Sequence, residues 1–320
     1  MMGTYMKKRS YFCFVIIVFL AGFYTSAAAC TVPVFRYALE RWEPDVYPVI
    51  IYTKGVPQSK DSAIVQVIVK KYKANAVIVY ADVTTRLAPE LKRALQKNKP
   101  SSYPWVVVHG PAAVENRVVY SGAFDSAAIV QIFHSPARQE YVKRTIRGES
   151  AVLVCILSGD IAKDKKVNEC ILAALDEANR SIKLPLPQNG PVRHTNTIPF
   201  AINFSTMFIR RHEPSEQAFI QMVTSLKVVD LSDKGPIVSL MFGRGRNLDV
   251  LQGERITKDQ IVSLCRFMAG SCSCTIKAQN PGVDILIDAD WDGHVRGLGN
   301  VDGAQEPMTG MTSGGNPFIQ

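Results

Sequence analysis

The chain has 320 residues, 47% hydrophobic and 20% charged, with a net charge of +9 at pH 7. This composition is ordinary for a globular protein and excludes a disordered chain, and the length allows two ordinary domains. Because the charges are dispersed without a basic run, the sequence predicts no nucleic-acid partner.

The start of the chain has the pattern of a secretory signal peptide. Basic residues at 7–9 precede an apolar run at 11–23, and small residues follow at 25–29. The apolar run is shorter than the ~20 residues that a membrane span needs, and the alanines offer a cleavage site. We therefore predict a cleaved signal peptide at 1–29 and an exported protein of the periplasm or cell envelope of a bacterium.

Cys30, the first residue after this segment, has two interpretations. Ala27-Ala28-Ala29-Cys30 is similar to a bacterial lipobox, whose cysteine receives lipid, although alanine stands where the lipobox has leucine. A lipid chain contributes about 0.8 kcal/mol per buried methylene, so lipidation would provide a membrane anchor for a lipoprotein. The alternative is a cysteine that attaches the N-terminal segment to the first domain.

The first half of the chain alternates between strands and helices. A short amphipathic helix from Phe35 to Trp42 comes first, with apolar residues on one face. The predicted order is then strand, helix, strand, helix, strand, strand and helix, at 48–53, 59–73, 76–81, 89–98, 105–109, 118–120 and 125–134. This order predicts a mixed sheet packed between helices.

This element order resembles the thioredoxin fold. In that family a cis-proline opens the third strand, so the resemblance implies a cis bond before Pro104. Thioredoxin-type oxidoreductases also carry Cys-x-x-Cys where the first strand meets the first helix. Here that junction reads Thr53-Lys-Gly-Val-Pro-Gln58 and has no cysteine. The resemblance therefore implies the fold without the family's catalytic residues.

The second half repeats the order after a connecting helix at 136–147. A strand, a long helix, a proline-rich insertion, a strand and a helix are predicted at 151–157, 160–180, 184–191, 199–209 and 213–226. A strand, a tight turn, a second strand and a capped helix are predicted to follow from Gly235 to the stop at Gly270. Pro236 corresponds to Pro104 and is the second candidate cis-proline. The second strand–helix junction, Ser158-Gly-Asp-Ile-Ala-Lys163, also lacks cysteine.

These observations predict two tandem thioredoxin-like α/β domains, each with a mixed central sheet and flanking helices. The first covers 30–147 and includes the N-terminal and connecting helices, and the second covers 148–292. A Gly-, Ser- and Pro-rich tail at 293–320 is predicted to be disordered.

Three cysteines follow one another closely near the end of the second domain: Cys265 on the last predicted helix, then Cys272 and Cys274. In an exported protein they favour a structural disulfide from Cys265 to either of the others. A strained Cys272–Cys274 bridge with Cys265 as resolving thiol is the redox alternative, and thiolates also suit soft metals. Two further cysteines, Cys155 and Cys170, are predicted core residues.

Two other motifs have both a functional and a plain interpretation. Asp288, Asp290 and Asp292, followed by glycine, have the spacing of a calcium loop, but the expected glutamate at its twelfth position is absent. The alternative is a polar turn. Arg244 and Arg246 lie at a glycine-rich hairpin turn, where they either receive an anion or remain solvated.

The segments CTVPVFRYALERW, FGRGR, CSC, NPGVD and DWDG together resemble a group of uncharacterised exported bacterial proteins without established activity. We expect a non-catalytic binding or scaffold protein with an unknown envelope partner and no cofactor other than possible calcium. The alternative is an atypical thiol–disulfide oxidoreductase that uses Cys272 and Cys274.

Overall fold

A computed structural model describes residues 32–55, 73–184, 198–226, 229, 234–271, 277 and 280–295. The predicted signal peptide and the predicted helix between the first two strands lie outside these residues, apart from Lys73 at the end of that helix. Among the described residues, no helix is both long and apolar enough to cross a membrane.

The first sheet has the strand order β2-β1-β3-β4. Its strands are β1 (Tyr47–Thr53), β2 (Ala76–Asp82), β3 (Trp105–His109) and β4 (Val118–Ala123), with helix α2 (Pro89–Asn98) between β2 and β3. β1 runs parallel to β2 and antiparallel to β3, which forms a hairpin with β4. β1 is buried along its whole length, as a continuous apolar run predicts for a central strand.

The second sheet repeats this order and adds one strand, giving β6-β5-β7-β8-β9. Its strands are β5 (Ala151–Leu157), β6 (Phe204–Arg210), β7 (Ile237–Phe242), β8 (Arg246–Gln252) and β9 (Val283–Asp284). β5 is parallel to β6 and antiparallel to β7, as β1 is to β2 and β3. Two mixed sheets with flanking helices fit two thioredoxin-like domains.

The remaining helices lie against the two sheets. They are α1 (Val34–Arg41), α3 (Ser126–Phe133), α4 (Pro136–Ile146), α5 (Ile161–Ser181), α6 (Gln217–Ser225), α7 (Lys258–Ala269) and α8 (Trp291–Val295). One hydrophobic cluster contains side chains of β1 and β3 together with side chains of β5, β7, α3, α4 and α6. The two sheets therefore share a core within one compact unit that begins at Thr31.

The N-terminal helix α1 packs on the second sheet, although the sequence analysis grouped it with the first domain. Val34, Phe35 and Ala38 belong to a cluster with side chains of β5, β7, α5 and α7. Gly243, with φ +58°, permits the approach, since a Cβ there would lie 2.8 Å from the Cβ of Ala38. Helix α1 thus connects the beginning of the chain to its second half.

The segment after β9 returns to the first sheet. The Asn75 side chain donates to the Ile285 carbonyl at 3.2 Å and accepts from the Ile287 amide at 2.8 Å. Trp291 and Val295 lie in the cluster shared by both sheets. The predicted disordered tail at 293–320 is corrected at its start, because buried Val295 fixes the last turn of α8; residues 296–320 lie outside the described part.

The proline predictions have different outcomes. The Tyr103–Pro104 bond is cis, as the resemblance implied. Among the described residues no other peptide bond is cis, so the same prediction for Pro236 is wrong. A trans bond before proline is favoured by about 0.5–1 kcal/mol unless the local chain path requires the cis form. The chain enters β7 through a trans bond before Pro236.

Candidate functional site

The turn between β5 and α5 occupies the position where a thioredoxin-type enzyme carries its reactive thiol. Asp160 caps the helix and accepts from the amides of Ala162 and Lys163 at 3.0 and 3.1 Å. Asp164 accepts from the Ser158 amide at 2.8 Å and from its hydroxyl at 2.7 Å. Carboxylates therefore take the amide donors that would otherwise stabilise a thiolate at this helix N-terminus.

The corresponding turn of the first half is described only up to Gly55. There Asp82, at the end of β2, accepts from the Gly55 amide at 2.9 Å. It also accepts from the amide and hydroxyl of Thr84, at 2.9 and 2.8 Å. These hydrogen bonds, led by that from the Thr84 amide, lower the pKa of Asp82. The described start of this turn is therefore also held by a carboxylate.

The described cysteines are free thiols in poor environments for reaction. Cys155 and Cys265 are fully buried, and burial raises the pKa of each to about 12. Burial also raises the pKa of Cys170, whose sulfur lies 3.9 Å from the Ile256 carbonyl oxygen. Since the thiolate is the nucleophile, the raised pKa lowers the reactivity of all three thiols near neutral pH, most of all that of Cys155 and Cys265.

The other cysteines of interest, Cys30, Cys272 and Cys274, lie outside the described residues. The bridge predicted from Cys265 is not formed, because its thiol is free and points into the core between α5 and α7. For the redox alternative, Cys272 and Cys274 stay predictions, whereas buried Cys265 is not accessible as a resolving thiol.

The three aspartates that have calcium-loop spacing face different partners in the structure. Asp288 accepts from the Lys73 amide at 2.7 Å. Asp290 starts helix α8 by accepting from the Gly293 amide at 3.0 Å, and Asp292 pairs with Arg244 at 2.7 Å. Across the described ranges, no three His, Cys, Asp or Glu side chains are grouped to hold a metal ion.

The hairpin arginines are neither solvated nor free to receive an anion. Arg244 is 7% exposed and donates to the Leu39 carbonyl at 2.9 Å in addition to its pair with Asp292. Arg246 is 4% exposed, and its guanidinium lies 5.4 Å from the centroid of the Trp42 ring. The tight turn at Gly243 and Gly245 directs both side chains inward, and internal acceptors take their donors.

Arg246 belongs to a group of charges that we call the acid–base clasp: Asp45, Arg246, Lys277 and Asp284. Arg246 and Asp284 are buried, and Asp45 and Lys277 are partly buried. The Asp45 amide donates to the Asp284 carboxylate at 2.7 Å, and the Asp284 amide donates to the Asp45 carboxylate at 3.0 Å. Lys277 pairs with both carboxylates, and Arg246 lies 3.4 Å from Asp284 and 3.8 Å from Asp45. The clasp joins the loop before β1 to strands β8 and β9.

The clasp holds two carboxylates and two cations, so its formal charge is balanced. Burial and the neighbouring Asp45 raise the pKa of Asp284, whereas Lys277 and Arg246 oppose that rise. Its cations donate to its own carboxylates and to the backbone carbonyls of Glu43, Asn280 and Pro281. We interpret the clasp as structural.

Sequence reasoning also missed Arg138 of α4, which is fully buried. Its guanidinium donates to the carbonyls of Ile132 and Leu286 at 2.8 and 2.6 Å and lies 6.0 Å from the Phe219 ring centroid. Burial lowers its pKa to about 10. Nothing in the surrounding helix sequence distinguishes this arginine from its solvated neighbours.

Comparisons with known proteins add little to this geometry. No protein-family model matches the chain, and no curated protein matches it. A solved structure, the first two thioredoxin domains of Naumovozyma dairenensis Eps1p, matches with 9% identity over 73% of this chain and 95% of that chain, at a TM-score of 0.20. At that score the likeness supports no conclusion, and the fold assignment rests on the sheet topology described above.

Proposed function

We propose that the protein is an exported binding or scaffold module of the cell envelope, with a thioredoxin-like architecture and without thioredoxin-type thiol chemistry. The observation that supports this most strongly is the β5–α5 turn. Asp160 and Asp164 occupy its amide donors where an oxidoreductase would have its nucleophilic cysteine. A carboxylate in that position cannot exchange disulfides.

The buried thiols support the same proposal. Cys155 and Cys265 are fully buried with a pKa raised to about 12, so neither supplies a thiolate near neutral pH. The partner in this proposal is a protein of the envelope, consistent with a chain whose charges are dispersed. Calcium has no part in it, because the three aspartates that suggested calcium are separated by their own ion pairs and hydrogen bonds.

The test is catalysed reduction of insulin by dithiothreitol, with thioredoxin as positive control. We expect the purified full chain to leave the rate of insulin precipitation at that of dithiothreitol alone. A rate that increases with the concentration of this protein would contradict the proposal.

The competing function, an atypical oxidoreductase based on Cys272 and Cys274, predicts such an increase. It further predicts that Cys272→Ser abolishes the activity whereas Cys170→Ser leaves it unchanged. Cys170 is the matched control because it is a partly exposed cysteine on a helix far from that segment in sequence.

A further inference from the structure

The edge of the second sheet carries exposed apolar side chains. In the part of the chain that the structure describes, β6 pairs with β5 alone, so the other side of β6 is a sheet edge. Phe208 of β6 is 43% exposed, and Leu172 of helix α5 is 52% exposed. Single exposed apolar residues are ordinary, whereas a contiguous apolar patch marks an interaction surface, so the relative position of these two side chains matters.

Helix α5 turns one face toward β6. Glu177 pairs with Lys258 of α7 at 2.9 Å, so it faces away from β6. Asn179 is rotated from Glu177 by about 200° on the helix and faces the opposite way. Its side chain donates to the Phe204 carbonyl of β6 at 3.0 Å and accepts from the Phe204 amide at 2.8 Å. Leu172 lies seven residues, or about two turns, before Asn179 and shares that face.

Phe208 and Leu172 lie at the same level along this edge. From the contact between Asn179 and Phe204, four residues of strand advance about 13 Å to Phe208. Helix α5 joins two parallel strands and so runs antiparallel to them, and seven of its residues lead back about 10.5 Å to Leu172. Phe208 is on the same face of β6 as Phe204, which packs against α5. We call the pair Leu172 and Phe208 the β6 edge patch.

The backbone of β6 presents hydrogen-bonding groups beside this patch. Both backbone groups of Phe204 point away from β5 to Asn179, and strand residues alternate in this direction. The backbone groups of Thr206 and Phe208 therefore point outward as well. Arg144 donates to the Thr206 carbonyl at 2.9 Å and so protects the start of the strand. Phe208 turns its amide and its carbonyl to the sheet edge, where a further strand can pair with them.

We propose that β6 pairs with β6 of a second copy of this chain, antiparallel, about a two-fold axis at Phe208. Opposite residues of an antiparallel pair can exchange both hydrogen bonds, so one outward-facing residue on the axis pairs with its counterpart. Such an interface is isologous, because the same surface of each copy faces the other. The β6 edge patch of one copy then covers that of the second, and the two sheets become continuous.

The charges of α5 are complementary to a second copy in this arrangement. By the distances above, the axis at Phe208 crosses α5 about nine residues before Asn179, near position 170. Lys165 and Asp176 lie about five and six residues on either side of that point, so Lys165 of one copy is opposite Asp176 of the other. Their side chains are 74% and 60% exposed, and their present pairs are with exposed residues of the same helix, which contribute little.

The two-fold axis forms this charge pair twice, and an unrelated extended peptide would not supply both charges at this spacing. The second copy is therefore the occupant that the edge fits best. This pairing depends neither on export nor on the absence of thiol chemistry, so it is tested separately from the proposed function.

Sedimentation equilibrium of the purified full chain over a wide concentration range tests the pairing. We expect a monomer–dimer equilibrium. Lys165→Glu and Asp176→Lys each place like charges opposite each other twice, so each should raise the dissociation constant about tenfold. The double variant, Lys165→Glu with Asp176→Lys, restores opposite charges and should return the dissociation constant close to that of the unchanged protein.

Removing the apolar patch is the second arm of the experiment. Leu172→Gln combined with Phe208→Thr should raise the dissociation constant at least about tenfold, because the apolar area buried between the copies is lost. The matched control is Phe267→Gln on α7, which is 40% exposed and lies on a different helix, and it should leave the dissociation constant unchanged. Circular dichroism verifies that each variant is folded.

A monomer at every concentration would overturn the proposal and would leave the β6 edge to an extended peptide of another protein. The same dissociation constant in the unchanged protein and all variants would overturn it too, since the copies would then associate through another surface, such as the apolar segment at 11–23. A double charge variant that associates no more tightly than the single variants would contradict the two-fold arrangement.

Discussion

Replacing Arg246 with methionine should destabilise the protein strongly, because it removes one cation from the acid–base clasp. The guanidinium donates to the carbonyls of Asn280 and Pro281 at 2.8 and 3.1 Å and lies 3.4 Å from the Asp284 carboxylate. Methionine fills much of the same volume but leaves these acceptors unpaired. Two carboxylates, buried Asp284 and partly buried Asp45, then face a single cation, Lys277. Removing one partner of a buried ion pair costs about 3–5 kcal/mol.

The matched control is Arg93→Met on α2. Arg93 pairs with Glu90 at 3.1 Å, but its side chain is 73% exposed. An exposed pair of this kind contributes about 0–1 kcal/mol, so the control should unfold nearly like the unchanged protein. Urea unfolding followed by tryptophan fluorescence measures both variants, and Trp42 reports directly because its ring lies against Arg246.

Charge balance provides a second check on the same reasoning. Adding Asp284→Asn to Arg246→Met restores one carboxylate, Asp45, facing one cation, Lys277, and the amide oxygen still accepts from the Asp45 amide. The double variant should therefore recover part of the lost stability. Equal stability of Arg246→Met and Arg93→Met would refute the assignment of the clasp as a stabilising network.

Three further predictions concern other parts of the fold. Gly243→Ala should lower the free energy of unfolding by about 2–4 kcal/mol and expose α1 to proteolysis, because the new Cβ is strained at positive φ and meets Ala38. Gly159→Ala is the control: Gly159 has positive φ and nothing within 4 Å, so this variant should show the backbone strain alone. Burial lowers the pKa of His109, so as the pH falls the unfolded state binds a proton at this residue before the folded state does. Stability should therefore fall as the pH drops below about 6.5. The loss of unfolding free energy between pH 7.5 and pH 5 should be smaller in His109→Gln than in the unchanged protein. Asp160→Ala removes the cap of α5 and should cost about 1 kcal/mol in urea unfolding without creating activity; a gain of insulin reduction would contradict the proposed function.

The strand–helix alternation could be predicted from the sequence because buried strands and amphipathic helices differ in the spacing of their apolar residues. β1 and β5 are continuous apolar runs, and both are central strands buried on two faces. The repeated order in the two halves followed from the same patterns.

The packing between the two halves could not be predicted from these patterns. The apolar face of α1 has the same composition whichever sheet covers it, so nothing in its sequence indicated contact with β7 and α7. The small residues at the contact, Ala38 and Gly243, show only in retrospect that two backbones approach closely there.

The charged residues misled the sequence analysis for a related reason. Arg246 lies in a glycine-rich turn, a pattern typical of solvent exposure, and its partners Asp45 and Asp284 come from distant parts of the chain. Asp290 has the spacing of a calcium ligand, yet the same spacing suits an N-cap of α8, since its carboxylate accepts from the Gly293 amide. Short polar motifs do not distinguish between these roles without their three-dimensional neighbours.

Site-resolved alkylation of the native protein tests most directly the claim that this architecture works without reactive thiols. The protein is treated with iodoacetamide between pH 6 and 8.5 and analysed by peptide mass spectrometry. We predict that Cys155 and Cys265 remain unmodified until urea unfolds the chain, and that no cysteine reacts at pH 6 faster than free cysteine does. Rapid alkylation of any cysteine of the folded protein at pH 6 would reveal a thiolate and contradict the claim.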